Sequence, residues 1–122
     1  MLFAFLYKEI MSYKIKSRIW IETKGHVLMG EGRISLLKAI EETGSLSKAA
    51  KTLQMSYKKA WHLIDTVNKA AKKPVTISSI GGKGGGGAQL TPYGKSLILA
   101  FEDINKNCWK FLDEQVRKIN AL

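Results

Sequence analysis

The stretch from Gly44 to Ala71 constrains the fold of this chain more than any other part. Its sequence, GSLSKAAKTLQMSYKKAWHLIDTVNKAA, holds two apolar stripes at helical spacing on either side of a short connection, Gln54-Met55. Ser47 and Ser56 stand where an N-cap hydroxyl would accept the unpaired N–H groups of a first helical turn. Small residues at Ala49, Ala50 and Ala60 allow the two helices to cross closely. This pattern predicts a helix-turn-helix, whose second helix enters the DNA major groove.

The charge of the chain agrees with a nucleic-acid partner. Of the 122 residues, 20 are Lys or Arg and 10 are Asp or Glu, so the net charge is +10. Between residues 45 and 95 there are nine lysines and one acid, Asp65, a net charge of +8. Lysines that neutralise phosphates release counterions, and a basic surface therefore favours DNA. The alternative is a solvated lysine-rich face, and the two N-caps and the tight turn make DNA binding the preferred interpretation.

Elements that support a small domain precede this stretch. Residues 13–22 alternate apolar and polar side chains, which predicts a half-buried strand, and residues 26–29 return as a second strand after a turn at 23–25. A helix is predicted from Arg33 to Thr43. Its buried stripe is Ile34, Leu37 and Ile40, with Leu36 at the flank, and Gly44 is the left-handed C-cap.

A second hairpin is predicted after the two central helices. Pro74 stops the second helix, residues 75–80 are β-prone, and the sequence GGKGGGGAQ follows at 81–89. Two short strands around this glycine-rich loop would form a wing, with Lys83 in the loop. The glycines would let the backbone approach a phosphate or a groove wall without side-chain clash. The alternative is a surface loop with no role.

The last predicted element is a long helix that begins at Thr91-Pro92, an N-cap followed by a proline at the first helical position. Its apolar residues recur at mostly three- and four-residue steps: Leu97, Phe101, Ile104, Cys108, Phe111, Leu112, Val116 and Ile119. Since a small domain could hardly bury all of them, we predict that part of the stripe is a dimer interface. The alternative is a terminal helix folded back on its own core.

The predicted fold is therefore α+β and mainly helical. It consists of an N-terminal extension at 1–12, a winged helix-turn-helix DNA-binding domain with an N-terminal β-hairpin at 13–91, and a dimerisation helix at 92–122. The apolar start MLFAFLYKEI has no basic region or cleavage site and is too short to span a membrane. Because Met11 could open a shorter protein, residues 1–10 are either an upstream extension or a short packing helix.

Several classes of function lack support in the sequence. The single cysteine, Cys108, excludes an intrachain disulfide and suits the cytoplasm, and His26 and His62 lack zinc-ligand spacing, so no metal or cofactor is expected. The Gly-rich run formally matches a dinucleotide fingerprint, but no helix follows it directly. Gly94-Lys95-Ser96 lacks the first glycine of a phosphate-binding loop, since that position is Gln89. No catalytic set stands out, and we expect no enzymatic activity.

Two motifs together resemble a known family. The segments GRISLLKAIEETGSLSKAAKTLQMSYKKAW and GGKGGGGAQLTPYG are similar to the N-terminal DNA-binding domain of ModE-type molybdate-responsive transcriptional regulators, over about residues 13–99. The helix-turn-helix is more distantly similar to that of LysR-type regulators. The resemblance implies a winged helix-turn-helix that binds operator DNA as a dimer, with Ser56–Trp61 opening the recognition helix. Full-length members bind the oxyanion in separate C-terminal domains, so this chain resembles a stand-alone version, and molybdate is not expected to bind it.

We therefore expect a sequence-specific transcriptional regulator that binds double-stranded DNA as a homodimer and has no membrane partner. Lys58 and Lys59 would read bases. Tyr57 and His62 are weaker candidates, and Tyr57 points nearer the core. Trp61 would either contact the sugar-phosphate chain or lie partly in the core, and we favour the position in the core. The expected phosphate contacts are Ser47, Lys48, Lys51 and Lys83. The alternatives are a winged-helix protein-interaction module and a small oxyanion-binding protein that uses the glycine-rich nest.

Overall fold

The computed structural model of the protein describes residues 2–79 and 87–122, and this part of the chain is mainly helical α+β, as predicted. Its elements in chain order are α1 (Leu2–Met11), β1 (Ile21–Thr23), β2 (His26–Met29), α2 (Glu31–Thr43), α3 (Leu46–Thr52), α4 (Tyr57–Ala70), β3 (Thr76–Ser79), β4 (Gly87–Leu90) and α5 (Pro92–Asn120). The chain forms two compact units, one of residues 19–101 and one of residues 1–18 and 102–122. None of these described helices is long and apolar enough to cross a membrane.

Helices α2, α3 and α4 contact one another and form most of the core of the larger unit. Gly44 ends α2 in the left-handed conformation, with φ of 67°, and its N–H donates to the carbonyl oxygen of Ile40, as predicted. Leu36 is fully buried, so its predicted place at the flank is wrong. The reason is that α2 packs against β4 as well as against α3, and the helix therefore buries a broader face than one stripe.

The first helix of the central pair begins earlier than predicted. The N-cap of α3 is Ser45, whose Oγ accepts the N–H of Lys48 at 3.1 Å, and Ser47 lies inside the helix, so its predicted capping role is wrong. Gly44 already ends α2, which leaves Ser45 in the extended conformation that an N-cap requires. The prediction for α4 is confirmed, because Ser56 Oγ accepts the N–H of Lys59 at 3.1 Å.

The turn between α3 and α4 is closed by backbone hydrogen bonds. The N–H of Gln54 donates to the carbonyl oxygen of Lys51 at 3.1 Å, and the N–H of Met55 donates to that of Ala50 at 3.0 Å. This pair of bonds forms a Schellman motif, in which the residue after the C-cap adopts the left-handed conformation. That residue is Gln54, with φ of 55°, where glycine would be less strained.

The first hairpin is shorter than predicted. Strand β1 pairs antiparallel with β2, and the two-residue turn of Lys24 and Gly25 has φ of 53° and 77°, as in a type I′ turn. Leu28 and Met29 on β2 are buried, and β2 contacts α4. The hairpin therefore gains from the helices the apolar contacts that two strands alone lack.

Residues 13–20 form no strand, so that part of the prediction is wrong, although the predicted alternation of burial is present. Ile15, Ser17 and Ile19 are half-buried and the residues between them are exposed. Within the smaller unit, this extended segment contacts α5. The carboxamide of Asn120 accepts the N–H of Tyr13 at 2.7 Å and donates to its carbonyl oxygen at 3.2 Å. A helix offers no free backbone groups for a strand ladder, so side chains replace the ladder here.

Helix α5 begins as predicted, with the N–H of Gly94 donating to Thr91 Oγ1 at 2.9 Å. Gly94 is buried, and a Cβ there would overlap the carbonyl oxygen of Val75, which explains a glycine inside this helix. Phe101 is 2% exposed in the core of the larger unit, so its predicted place in an intermolecular stripe is wrong. Three stripe residues in the smaller unit are exposed: Ile104, Phe111 and Ile119.

We predict that Gln54→Gly stabilises the protein by about 1 kcal/mol, because glycine adopts the left-handed conformation at little steric cost. The free energy of unfolding from urea denaturation measures the effect. The matched control is Gln115→Gly inside α5, which should destabilise the protein by about 1 kcal/mol. A loss of stability in both variants would contradict the assignment of strain to Gln54.

Candidate nucleic-acid interface

The outward face of α4 carries a row of exposed basic side chains. Lys58, His62 and Lys69 follow one another at four- and seven-residue steps, so they form one ridge along the helix. All three are exposed, and Lys59 is exposed on the adjoining stripe. The buried residues Ala60 and Val67 lie on the opposite face, which sends the ridge into solvent.

The two aromatic residues at the start of α4 lie beside this ridge. Tyr57 is 56% exposed and Trp61 is 52% exposed. The expectation that Trp61 lies partly in the core is therefore wrong. Tyr57 does lie nearer the buried face of α4 than Lys58, as expected, but its side chain is exposed. One turn of helix separates the two side chains, and the small residues on the neighbouring face, such as Ala60, already bring α3 and α4 together without them.

Tyr57 and Trp61 line a groove of about 400 Å³ between the start of α3, the side of α4 and the β3–β4 hairpin. Ser47 lies on the same groove, so the structure brings together three of the residues predicted to bind DNA. Besides Tyr57, four residues with aliphatic hydroxyl groups line it: Ser45, Ser47, Thr76 and Ser78. Ile77 on β3 adds an exposed apolar side chain. Exposed aromatic and hydroxyl side chains together suit contact with sugar and phosphate.

One acidic residue, Asp65, also lines the groove. Its carboxylate lies 2.9 Å from the ammonium of Lys69, and the Asp65 side chain is 28% exposed. The ion pair neutralises the negative charge that would otherwise face a polyanion. Since the pair also offsets the charge of Lys69, Lys58 and Lys59 carry the positive charge that this face offers to phosphate.

The β3–β4 hairpin is held against the helices by specific polar contacts. The carboxamide oxygen of Asn68 on α4 accepts the N–H groups of Val75 at 2.7 Å and Thr76 at 3.2 Å, and its nitrogen donates to Thr76 Oγ1 at 3.1 Å. On the other strand, the N–H of Ala88 donates to the carbonyl oxygen of Gly44 at 3.0 Å. These bonds fix the far wall of the groove relative to α4.

The other predicted contact residues lie apart from the groove. Lys48 and Lys51 are exposed on α3, and Ser56 is exposed at the N-terminus of α4, where its hydroxyl caps the helix. Lys83 and residues 80–86 of the glycine-rich loop lie outside the described residues. Among the residues that are described, no three His, Cys, Asp or Glu side chains converge as a metal site.

Sequence reasoning missed Asn68, Ile77 and Ser78. Asn68 belongs to no apolar stripe of α4, and its partners are seven and eight residues further along, so only the folded chain shows its role. Ile77 and Ser78 stand in the run that was predicted to be β-prone. Both line the groove, and a β-prone run by itself carries no signal for that.

We predict that Asn68→Ala destabilises the protein by about 1–3 kcal/mol, because it leaves buried backbone N–H groups without an acceptor. Thermal or urea unfolding measures the loss, and the Val75 amide should lose protection from hydrogen exchange. The control is Asn107→Ala on exposed α5, where the carboxamide makes a single 3.5 Å contact with Asp103 and the change should stay within about 0.5 kcal/mol. Equal effects in the two variants would show that Asn68 does not anchor the hairpin.

The chain is similar in sequence to proteins that are named as transcriptional regulators. The chain is 47% identical over 94 residues, 74% of its length, to the DNA-binding transcriptional dual regulator ModE of Escherichia coli K12. It is 38% identical over 76% of its length to the transcriptional regulator ModE of Yersinia pestis. It is also 36% identical over 87% of its length to the molybdenum transport protein ModE of Azotobacter vinelandii.

The matched region is only part of those relatives. The chain spans 36%, 32% and 39% of their respective lengths. No family model matches it. The chain is therefore a homologue, over most of its own length, of the ModE transcriptional regulators.

Proposed function

We propose that the protein is a transcriptional regulator that binds double-stranded DNA in a sequence-specific manner, as a homodimer and without enzymatic activity. The observation that carries the proposal is the exposed ridge of Lys58, His62 and Lys69 on α4, the second helix of a tight-turn pair. Such a helix fits a major groove about 12 Å wide. Homology to regulators that are named as DNA-binding supports the same conclusion.

In this proposal α3, α4 and the β3–β4 hairpin act as a winged helix-turn-helix. Lys58 and Lys59 read base edges, because they stand in the first turn of α4 and are exposed. His62, one turn further along the ridge, is a second candidate reader. In this proposal base contacts carry the sequence information, and the contacts to phosphate and sugar position the duplex.

The groove between α4 and the hairpin receives a sugar-phosphate strand. Trp61 and Tyr57 pack against the sugars, and the Ser47 hydroxyl donates to a phosphate. Lys48 and Lys51 add phosphate contacts from α3, Ser56 fixes the start of α4, and Lys83 acts as a point charge from the wing.

The proposed domains are the extension at 1–12, the DNA-binding domain at 13–91 and the dimerisation helix at 92–122. The proposed location of the protein is the cytoplasm.

The proposed homodimer uses the second half of α5. Ile104, Phe111 and Ile119 are between 38% and 57% exposed and lie within about 80° of one another around the helix. The neighbouring edge of the stripe is half-covered by the chain's own residues, since Tyr13, Ile15 and Val116 line one small groove in the smaller unit. The exposed apolar row remains for a second copy of the chain.

We predict that Lys58→Ala and Lys59→Ala each cost about 1–3 kcal/mol on a specific duplex and less on random DNA. The duplex is the genomic fragment bound best in a gel shift at two salt concentrations, and competition with random duplexes measures the ratio. The matched control is Lys51→Ala, which should weaken binding to the specific and the random duplex equally because phosphates are alike in every sequence.

Added molybdate should leave every affinity unchanged, since we propose DNA binding by these residues without a cofactor.

An unchanged ratio of specific to random binding in both variants would remove Lys58 and Lys59 as readers. Absence of any salt-dependent DNA binding by the wild type would overturn the proposed function itself, and would favour a winged-helix protein-interaction module or an oxyanion-binding protein instead.

We predict that Phe111→Asp dissociates the dimer, because a carboxylate would be buried without a partner in an apolar interface. Sedimentation equilibrium at micromolar concentration measures the mass, and circular dichroism should show an intact fold because Phe111 is exposed in the single chain. Lys110→Asp, next to it on α5 but away from the exposed row, is the control and should remain dimeric. A monomeric wild type would contradict the proposed interface.

A further inference from the structure

The N-terminal helix α1 presents an apolar face that is open to solvent in the single chain. Leu2, Phe3, Phe5 and Leu6 are between 48% and 83% exposed. At 100° per residue these four side chains fall within an arc of about 160° around the helix, and Ala4 lies on the other side. The face is therefore contiguous, and a contiguous apolar face is typical of an interaction surface.

The length of α1 makes a partner for this face necessary. The helix has 10 residues. Isolated helices shorter than about 12–15 residues are marginal in water, because the first turn is costly to form, and helices in proteins are stabilised mostly by the packing of an apolar face. Since the apolar face of α1 is exposed in the single chain, the packing that stabilises this helix comes from another molecule.

The exposed apolar row of α5 is a second uncovered surface in the same compact unit as α1. Its residues are Ile104, Phe111 and Ile119, and all three are open to solvent, so α1 does not cover the row of its own chain. Two apolar surfaces that stay apart within one chain can cover each other between two copies. A symmetric dimer would make this contact twice.

The row of α5 is too small to hold a dimer together by itself. If a large apolar side chain offers about 150–200 Å² when fully exposed, the three residues of the row offer roughly 200–300 Å². A stable interface buries about 800 Å² on each partner. By the same measure, the four apolar residues of α1 add roughly 400–500 Å². The two surfaces together therefore approach the area that a stable dimer needs.

The chain holds α1 where it can reach a second copy. The helix ends at Met11, and two residues later the N–H of Tyr13 donates to the carboxamide oxygen of Asn120 at 2.7 Å. The end of α1 is thus tied to the C-terminal end of α5. A helix of this length is about 15 Å long, whereas packed helices lie about 8–10 Å apart. It is therefore long enough to cross an adjacent α5.

We propose that α1 of each chain packs on the exposed apolar row of α5 in the other chain of the homodimer. The inference rests on the proposed function, since it supplies a second surface for the proposed dimer. It assigns the N-terminal segment a role in assembly. Because two copies of α4 are needed to contact two half-sites, the contact also supports binding to the specific duplex.

A carboxylate placed on either side of α1 tests the contact. Phe3→Asp puts the charge in the apolar face and should raise the dissociation constant of the dimer by about tenfold or more. The matched control is Ala4→Asp, which adds the same charge on the opposite side and should leave the constant unchanged. Sedimentation equilibrium over a range of concentrations measures it.

Both variants should keep the fold of the single chain. Phe3 and Ala4 are exposed, so neither substitution removes a contact from the core. Both put an acid in the first turn of α1, where a negative charge favours a helix. Circular dichroism should therefore give the same spectrum for the two variants, and a difference in dimerisation reports the contact itself.

Cross-linking between two single-cysteine variants identifies the surface that α1 contacts. Both carry Cys108→Ser, which removes the cysteine of the chain. One variant adds Leu2→Cys on α1, and the other adds Asn107→Cys, which is exposed beside the row of α5. A short bismaleimide should join the two variants when they are mixed, as mass spectrometry of the product shows. Adding Phe3→Asp to the first variant should abolish the product, and adding Ala4→Asp should not.

The outcomes separate this inference from the proposed function. An unchanged dissociation constant in Phe3→Asp overturns the inference and leaves the homodimer intact, and so does cross-linking only between two α1 helices. A monomeric wild type overturns both the inference and the proposed interface. A dimer that binds no DNA overturns the proposed function alone. A dimer weakened in Phe3→Asp but not in Ala4→Asp, together with the cross-link from α1 to α5, supports the inference.

Discussion

Three buried alanines, Ala49, Ala50 and Ala60, allow α3 and α4 to pack closely, and each is at most 2% exposed. Because a side chain with only one carbon occupies each of these positions, the two helices can approach closely. Larger side chains such as Leu53 and Leu63 pack around this contact and are partly buried. The larger apolar residues, such as Leu36 and Leu37, are buried on α2 beneath them. The face of α4 opposite Ala60 is not needed for this packing, and it carries the basic ridge.

The groove depends on polar bonds between backbone and side chains. Asn68 joins α4 to the start of β3, and the carbonyl oxygen of Gly44 accepts the N–H of Ala88 on β4. Thr91 extends this arrangement. Its N–H donates to the carbonyl oxygen of Val75 at 2.9 Å, and its hydroxyl caps α5. Short strands with few apolar residues thus gain a fixed position beside α4, with Trp61 and Ile77 left exposed across the groove.

Much of the larger unit could be predicted from the sequence, because its signals are local. The C-cap at Gly44, the N-cap at Ser56 and the start of α5 at Thr91-Pro92 each depend on neighbours within four residues. Competing local signals explain the wrong N-cap of α3. Ser45 and Ser47 are both suitable N-cap residues, and the position at which α2 ends determines that Ser45 is the cap. Long-range contacts explain others, since residues 13–17 of the alternating segment contact α5 instead of a strand.

The site was less predictable than the fold. The exposed lysines of α4 follow from the position of its buried stripe, but Trp61 was expected nearer the core because large aromatic residues usually lie there. Its exposure depends on how the hairpin stands away from α4, which Asn68 determines through partners beyond the end of the helix.

Dimethyl sulfate interference on the specific duplex tests the central claim, that α4 enters the major groove, most directly. Dimethyl sulfate methylates guanine N7 in the major groove and adenine N3 in the minor groove. The account predicts that guanine methylation blocks binding in two clusters with their centres about one helical turn, or a multiple of it, apart, as two α4 helices of a dimer require. Interference from adenine methylation alone, with no effect at any guanine within a site that contains them, would contradict it.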